Sequence, residues 1–473
     1  MKIIGREKEK QQLKSYFESE DSEFVAVYGR RRIGKTFLVN VFFAEEFDFS
    51  VTALAGSGKN AQLENFRTAL RKYGADLDKP LGTWYEAFEE LIKLLDKSKN
   101  KGKKIVFIDE LPWFDTTKSG FLSALEHFWN GWAAKRHDIL FIVCGSATSW
   151  MIGKLIRNKG GLHNRVTGRM HLEPFTLKET EAYLIYRNIL WERFDVAVCY
   201  MVFGGVPFYL KQLEPGRSAA QNIDRLCFEK GSFMESEFDL LFASLFRESE
   251  KHLRVMNALS AAKSGLTRDR LLSGAGLNTG GMASNVIEEL ELCGFIEKYN
   301  DFTGKNGRYV YHISDFFSLF YYRFMKGNKH LGKGYWLKVM GSGSYHNWLG
   351  KTFELLCLTH IDQIRSALGI AGVLATPFSW SFPGDAETAG AQIDLLIDRS
   401  DNIINVCECK FMNTPYSIDA SEAERLRKRI DIFKRKTKTR KAIHLTMITV
   451  YGLINGKYST MVQSEVRLDD LFS

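Results

Sequence analysis

Two groups of residues in this 473-residue sequence have the types and spacing to do chemistry. The first is Gly29-Arg30-Arg31-Arg32-Ile33-Gly34-Lys35-Thr36, followed by Phe37, and it fits G-x-x-x-x-G-K-[ST]. Glycines at such positions let backbone N–H groups wrap phosphate oxygens, and a helix starting there adds the positive end of its dipole. Lys35 would neutralise charge on the outer phosphates, and Thr36 would ligate Mg²⁺ through its hydroxyl. The loop follows an apolar strand pattern at 23–28 and precedes an apolar helical pattern at 37–43, the context such a loop requires. Further along, residues 104–110 read as an apolar strand ending in Asp109 and Glu110. Asp109 would hold Mg²⁺ through water and Glu110 would polarise an attacking water. The plainer alternative for the two acids is an ordinary exposed strand terminus.

The second group lies near the carboxyl end. Asp394 falls in the apolar run 391–398, and Glu408 and Lys410 fall two apart in the run 403–410. Read as a hairpin, the second run puts Glu408 and Lys410 on one face, while Gln392 lies two before Asp394 on its face. Apolar strands rarely carry such charges together without a reason. These residues suit metal-assisted phosphodiester hydrolysis. Asp394 and Glu408 would hold Mg²⁺, Glu354 on an upstream helix would support it, and Lys410 would orient the nucleophile. The alternative is a buried ion pair between Glu408 and Lys410 with Asp394 as its acceptor. Between Arg425 and Lys441 stand ten basic residues and one acid, Asp431. That stretch alone carries the whole chain's net charge of +9. It points to a polyanion, most simply nucleic acid with DNA favoured over RNA, although a merely solvated basic helix would look similar.

The elements that must position these residues fall into an α/β order. Strand patterns at Phe24–Tyr28, Phe49–Ala53, Ile105–Ile108 and Ile139–Cys144 lack in–out alternation, as strands covered on both faces do, and helical patterns lie between them. The expected organisation is a parallel-sheet core over 1–176, a helical lid over 177–248, a winged helix-turn-helix over 249–325 and a second α/β domain over 345–473. Gly341-Ser342-Gly343-Ser344 reads as a linker before the last of these.

From Gly5 to Phe208 the sequence resembles the P-loop ATPases of the AAA+ and STAND group, in the branch common in archaea and anaerobic bacteria. Ile4-Gly5-Arg6-Glu7 resembles that branch's opening. Phe141 to Ser146 resembles its sensor-1 strand, with Ser146 probing the γ-phosphate. Gly204-Gly205-Val206-Pro207-Phe208-Tyr209-Leu210 resembles a signature of its lid. The resemblance implies ATP and Mg²⁺ as cofactors, and it offers Arg165 or Arg169 as the source of transition-state charge, each equally readable as a surface arginine. The set Glu354, Asp394, Glu408 and Lys410 resembles the PD-(D/E)xK nuclease superfamily, although Ile393 stands where the proline of its name would be.

Seven cysteines without paired spacing argue against a disulfide framework and for a reducing compartment. The start MKIIGREKEK has no signal-peptide pattern, and no apolar run is long enough to span a bilayer, so a cytoplasmic location without membrane insertion is expected. The leading expectation is an Mg²⁺-dependent ATPase coupled to a carboxyl-terminal domain that binds nucleic acid or cuts DNA, with oligomerisation open. The competing expectation is an ATP-gated switch whose nuclease-like domain is silent.

Overall fold

The computed structural model describes residues 2–157, 160–246, 248–262, 265–300, 302, 309–328, 332–385 and 387–473. They form two compact units, Met1–Pro174 and Phe175–Ser473.

The first unit is a five-stranded, wholly parallel sheet. Its strands are β1 (Glu23–Tyr28), β2 (Phe49–Thr52), β3 (Lys104–Asp109), β4 (Ile139–Gly145) and β5 (Gly168–His171), in the order β2-β3-β4-β1-β5. Helices α1 (Glu7–Glu18), α2 (Lys35–Phe42), α3 (Lys59–Lys72), α4 (Trp84–Lys97) and α5 (Phe121–Gly131) surround it. Alternate strand residues feed two separate apolar layers. Phe24, Val106, Ile108 and Phe141 pack on one side with Trp84 and Phe128; Val25, Ile105, Phe107 and Ile142 pack on the other with Leu38. Cover on both faces is why these strands read as unbroken apolar runs. The expected parallel sheet is therefore present, with β5 added at an edge where the residues show no strong strand pattern.

In the second unit a largely helical stretch leads to helices Ser249–Ala261, Arg268–Gly274 and Gly281–Leu292. A small sheet of order β6-β8-β7 accompanies them, from β6 (Leu266–Thr267), β7 (Ile296–Asn300) and β8 (Tyr309–Ile313). A second five-stranded sheet follows, from β9 (Ala375–Phe382), β10 (Ala391–Arg399), β11 (Ile403–Lys410), β12 (Ala442–Thr449) and β13 (Ser464–Arg467). Its order is β13-β12-β11-β10-β9. β9, β10 and β11 are antiparallel neighbours, whereas β11, β12 and β13 run parallel. Helix Gly343–Thr359 covers one face through Phe353, Leu356 and Cys357. Helix Ala420–Thr437 covers the other through Ile432 and Phe433, packed with Trp380, Leu396 and Val406. The stretch read as a linker instead opens the first of these helices. Ser342 caps it by accepting the Tyr345 N–H at 3.3 Å, so Gly343 and Ser344 are its first turn. Among the described residues no helix is long and apolar enough to cross a membrane.

Candidate functional site

In the first unit the loop leaves the carboxyl end of β1, and the strand order sets the ends of β3 and β4 nearby. Gly29 has φ +142°, and a Cβ there would lie 2.3 Å from the Leu172 carbonyl oxygen, so only glycine fits. Gly34, at φ +90°, turns the chain into α2. Lys35 is buried at the start of that helix. Its Nζ donates to the Gly29 and Arg30 carbonyls, both at 2.9 Å, and to Ser146 Oγ at 3.1 Å. The Thr36 hydroxyl donates to the Asp109 carboxylate at 3.0 and 3.1 Å. Glu110, at φ +51°, turns back to accept the Ser146 hydroxyl at 2.6 Å and the Ser146 N–H at 3.2 Å. A continuous polar chain thus joins the Lys35, Ser146 and Glu110 side chains, beside the Thr36–Asp109 pair. Arg6 supports it from the amino-terminal segment by donating to the Ile33 carbonyl at 3.3 Å.

Electrostatics single out Asp109. Burial, then the neighbouring Glu110 charge, pushes its carboxyl up to about 6, against the pull of the Thr36 hydroxyl and Lys35. A hydroxyl and a buried carboxylate are hard oxygen donors, which is what Mg²⁺ takes. Arg30 is buried, Arg31 and Phe37 are exposed, and Ile33 is part of the apolar layer under the loop. Arg165 lies exposed in the turn before β5, and Arg169 lies exposed on β5 near Tyr28. Among the described residues no hydrogen bond or ion pair joins Arg165 to the phosphate loop.

In the second unit the four expected residues come together. Glu354 projects from helix Gly343–Thr359, Asp394 from β10, and Glu408 and Lys410 from β11. Asp394 sits at a register shift between Ile393 and Leu396, where a bulge re-aims a side chain. It accepts from Gln392 Nε2 at 2.6 Å, and the Glu354 carboxyl interacts with it electrostatically. Burial, then the charges of Asp394 and Glu408, pushes Glu354 up to about 8. Burial likewise raises Asp394. Three cations hold Glu408: Lys410 at 2.8 Å, Arg425 at 3.1 Å, and Arg429. Glu422 closes the network, with Lys410 at 3.2 Å and Arg425 at 2.5 Å. The sequence reading missed Glu422 as a partner and placed Arg425 and Arg429 only in a nucleic-acid-facing run. The available signal was Glu422-x-x-Arg425-x-x-x-Arg429, one face of a helix. As the side chains lie, no group of three or more His, Cys, Asp or Glu among the described residues is arranged to hold a metal ion. The oxygen donors suit Mg²⁺ by chemistry, but Glu408 is directed to the arginines.

Comparison with known proteins bears on the first of these sites. Residues 3–213 match an ATPase domain found predominantly in Archaea. The ATPase domain so matched contains the phosphate loop, Asp109, Glu110 and Ser146. An uncharacterized protein of Methanocaldococcus jannaschii is 25% identical over 399 residues, spanning 83% of this chain and 84% of that protein. Among solved structures, a Walker-type ATPase of Pyrococcus abyssi is similar at 16% identity, with TM-score 0.49 over 68% of this chain and 96% of that one. The ORC2 protein of Aeropyrum pernix is similar at 16% identity, with TM-score 0.40 over 66% of this chain and 90% of that one.

Proposed function

We propose that the chain hydrolyses ATP with Mg²⁺ at the amino-terminal loop and couples this to nucleic-acid binding, and phosphodiester cleavage, in the carboxyl-terminal unit. The observation that carries the first half is the meeting of Lys35, Thr36, Asp109, Glu110 and Ser146 at neighbouring strand ends. Mg²⁺, when bound, would supply positive charge against the phosphates. Thr36 and Asp109 would hold it. Lys35, now donating to the loop's own carbonyls, would turn its protons to the outer phosphates. Glu110 would orient the attacking water, and Ser146, which already touches both Lys35 and Glu110, would report whether a γ-phosphate is present. Arg165 or Arg169 would add positive charge in the transition state, within the chain or from a second copy.

For the second half, Glu354, Asp394, Glu408 and Lys410 in a nuclease-like α/β unit supply a carboxylate set beside a strongly basic helix. The winged-helix arrangement of 249–325 would be a further nucleic-acid contact. The competing reading, an ATP-gated switch with a silent nuclease-like domain, is favoured by one observation: Glu408 is fully occupied by cations.

Lys35→Ala and Asp394→Asn separate the halves. The first is expected to lower ATP turnover by a factor of about 100 or more. The second is expected to abolish Mg²⁺-dependent nicking of plasmid DNA while leaving turnover intact. Undiminished turnover in the first variant would refute the ATPase roles. Nicking that survives in the second would refute the roles assigned to the carboxylates.

A further inference from the structure

We propose that Arg425 and Arg429 are a phosphodiester-gripping pair held in reserve by Glu408, so that a nucleic-acid strand must take the arginines before Glu408 is free to bind metal. The inference rests on the nuclease reading of this site and names the regulation and the strand-binding residues within it.

Both oxygens of Glu408 are used. Oε1 accepts from Lys410 and Arg425, and Oε2 accepts from Arg429. A carboxylate so engaged has little lone-pair capacity left for a cation, which fits the missing convergence with Glu354 and Asp394. The two arginines stand four residues apart, on one face of helix Ala420–Thr437. They differ in exposure: the Arg425 side chain is 48% exposed and that of Arg429 is 19% exposed. An arriving strand therefore meets Arg425 first.

A guanidinium binds a carboxylate and a phosphodiester through the same N–H geometry, so one anion substitutes for the other with little rearrangement. The local charge count favours the exchange. Glu408 and Glu422 face three cations, Lys410, Arg425 and Arg429, and the same helix exposes Arg427, Lys428, Lys434 and Arg435 outward. A polyanion is thus drawn to the helix that holds Glu408 in place. Once phosphate oxygens accept the arginine N–H groups, Glu408 keeps only Lys410 on Oε1 and regains lone-pair capacity beside Asp394. The carboxylate exchanges two monovalent partners for room to take a divalent one. By linkage, metal and strand must then raise each other's affinity by the same factor.

The test measures Mn²⁺ binding to the full, nucleotide-free chain by the electron paramagnetic resonance signal of free Mn²⁺. Only the portion lost in Asp394→Asn is counted. A short duplex with phosphorothioate linkages should raise that binding about tenfold. The double variant Arg425→Gln, Arg429→Gln should bind Mn²⁺ about tenfold more tightly than wild type without DNA, gain nothing further from DNA, and bind the duplex more weakly. The single variant Arg425→Gln, at the more exposed position, should show a smaller rise in Mn²⁺ binding and guards against misfolding of the double variant. Mn²⁺ binding indifferent both to DNA and to these substitutions would overturn the proposal. If cleavage nonetheless occurs, the nuclease reading stands without it. If the exchange occurs and no cleavage is seen, the arginine pair stands and the nuclease reading falls.

Discussion

The phosphate loop of the first unit and the carboxylate set of the second both use strand ends, but they hold their polar groups differently. At the loop, backbone geometry decides where each group lies. Gly29 and Gly34 take conformations that side chains rarely adopt, and the Lys35 ammonium rests on main-chain carbonyls. At the second site, side-chain charges decide. Glu408 goes where Lys410, Arg425 and Arg429 draw it. The first arrangement is specified by local sequence and tolerates little substitution. The second is an equilibrium among ion pairs, which a competing anion or cation can shift.

The largest effect expected from this contrast is at Gly29. Gly29→Ala must place a Cβ against the Leu172 carbonyl and hold a strained φ. ATP turnover should fall below detection, and the melting temperature should drop. An alanine variant with near-normal turnover would show that the loop is not backbone-determined. Next is Glu408→Gln, which removes the anion from three ion pairs and leaves Arg429 only 19% exposed without its carboxylate. Unfolding free energy by denaturant should fall by about 2 kcal/mol. The loss should shrink in high salt, because the interactions broken are screened ones. A salt-independent loss would mean that packing, not charge exchange, holds this site.

The two sites were also unequally legible in the sequence. The loop was readable because its groups are contiguous, from Gly29 to Thr36, and its strands are buried on both faces. What could not be read was the link from Ser146 to both Lys35 and Glu110, because it depends on β4 lying between β3 and β1. At the second site the acids stood out against apolar strands. Lys410 could be read as a partner of Glu408, and the two do pair, but Arg425, Arg429 and Glu422 could not, since the periodicity that aligns them was hidden in a run notable for its net charge. Short or edge strands such as β5, β9 and β13 carried too little pattern to be found. The Gly-Ser stretch at 341–344 misled because composition suggests a linker, whereas Ser342 was acting as a cap.

A smaller effect tests whether the second unit contains any polar site as firmly fixed as the loop. His360 is 1% exposed, and its Nε2 accepts the Leu177 N–H at 3.0 Å, so Nδ1 carries the proton and donates to the Leu356 carbonyl at 3.0 Å. Burial lowers its pKa to about 4, and burial does the same to His312. The unfolded chain takes up these protons near pH 6.5. The folded chain does not until about 4, so the stability these two histidines contribute is complete above pH 6.5 and declines as the pH falls toward 4, while the raised carboxyls of Asp109 and Glu354 slope the other way. Denaturant midpoints of wild type and variant compared across that range resolve the histidine share. His360→Gln, which can still accept the Leu177 N–H, should remove about half of it and leave the share of His312. An unchanged slope would place His360 among groups that titrate freely, and would leave the loop as the more rigidly specified of the two regions.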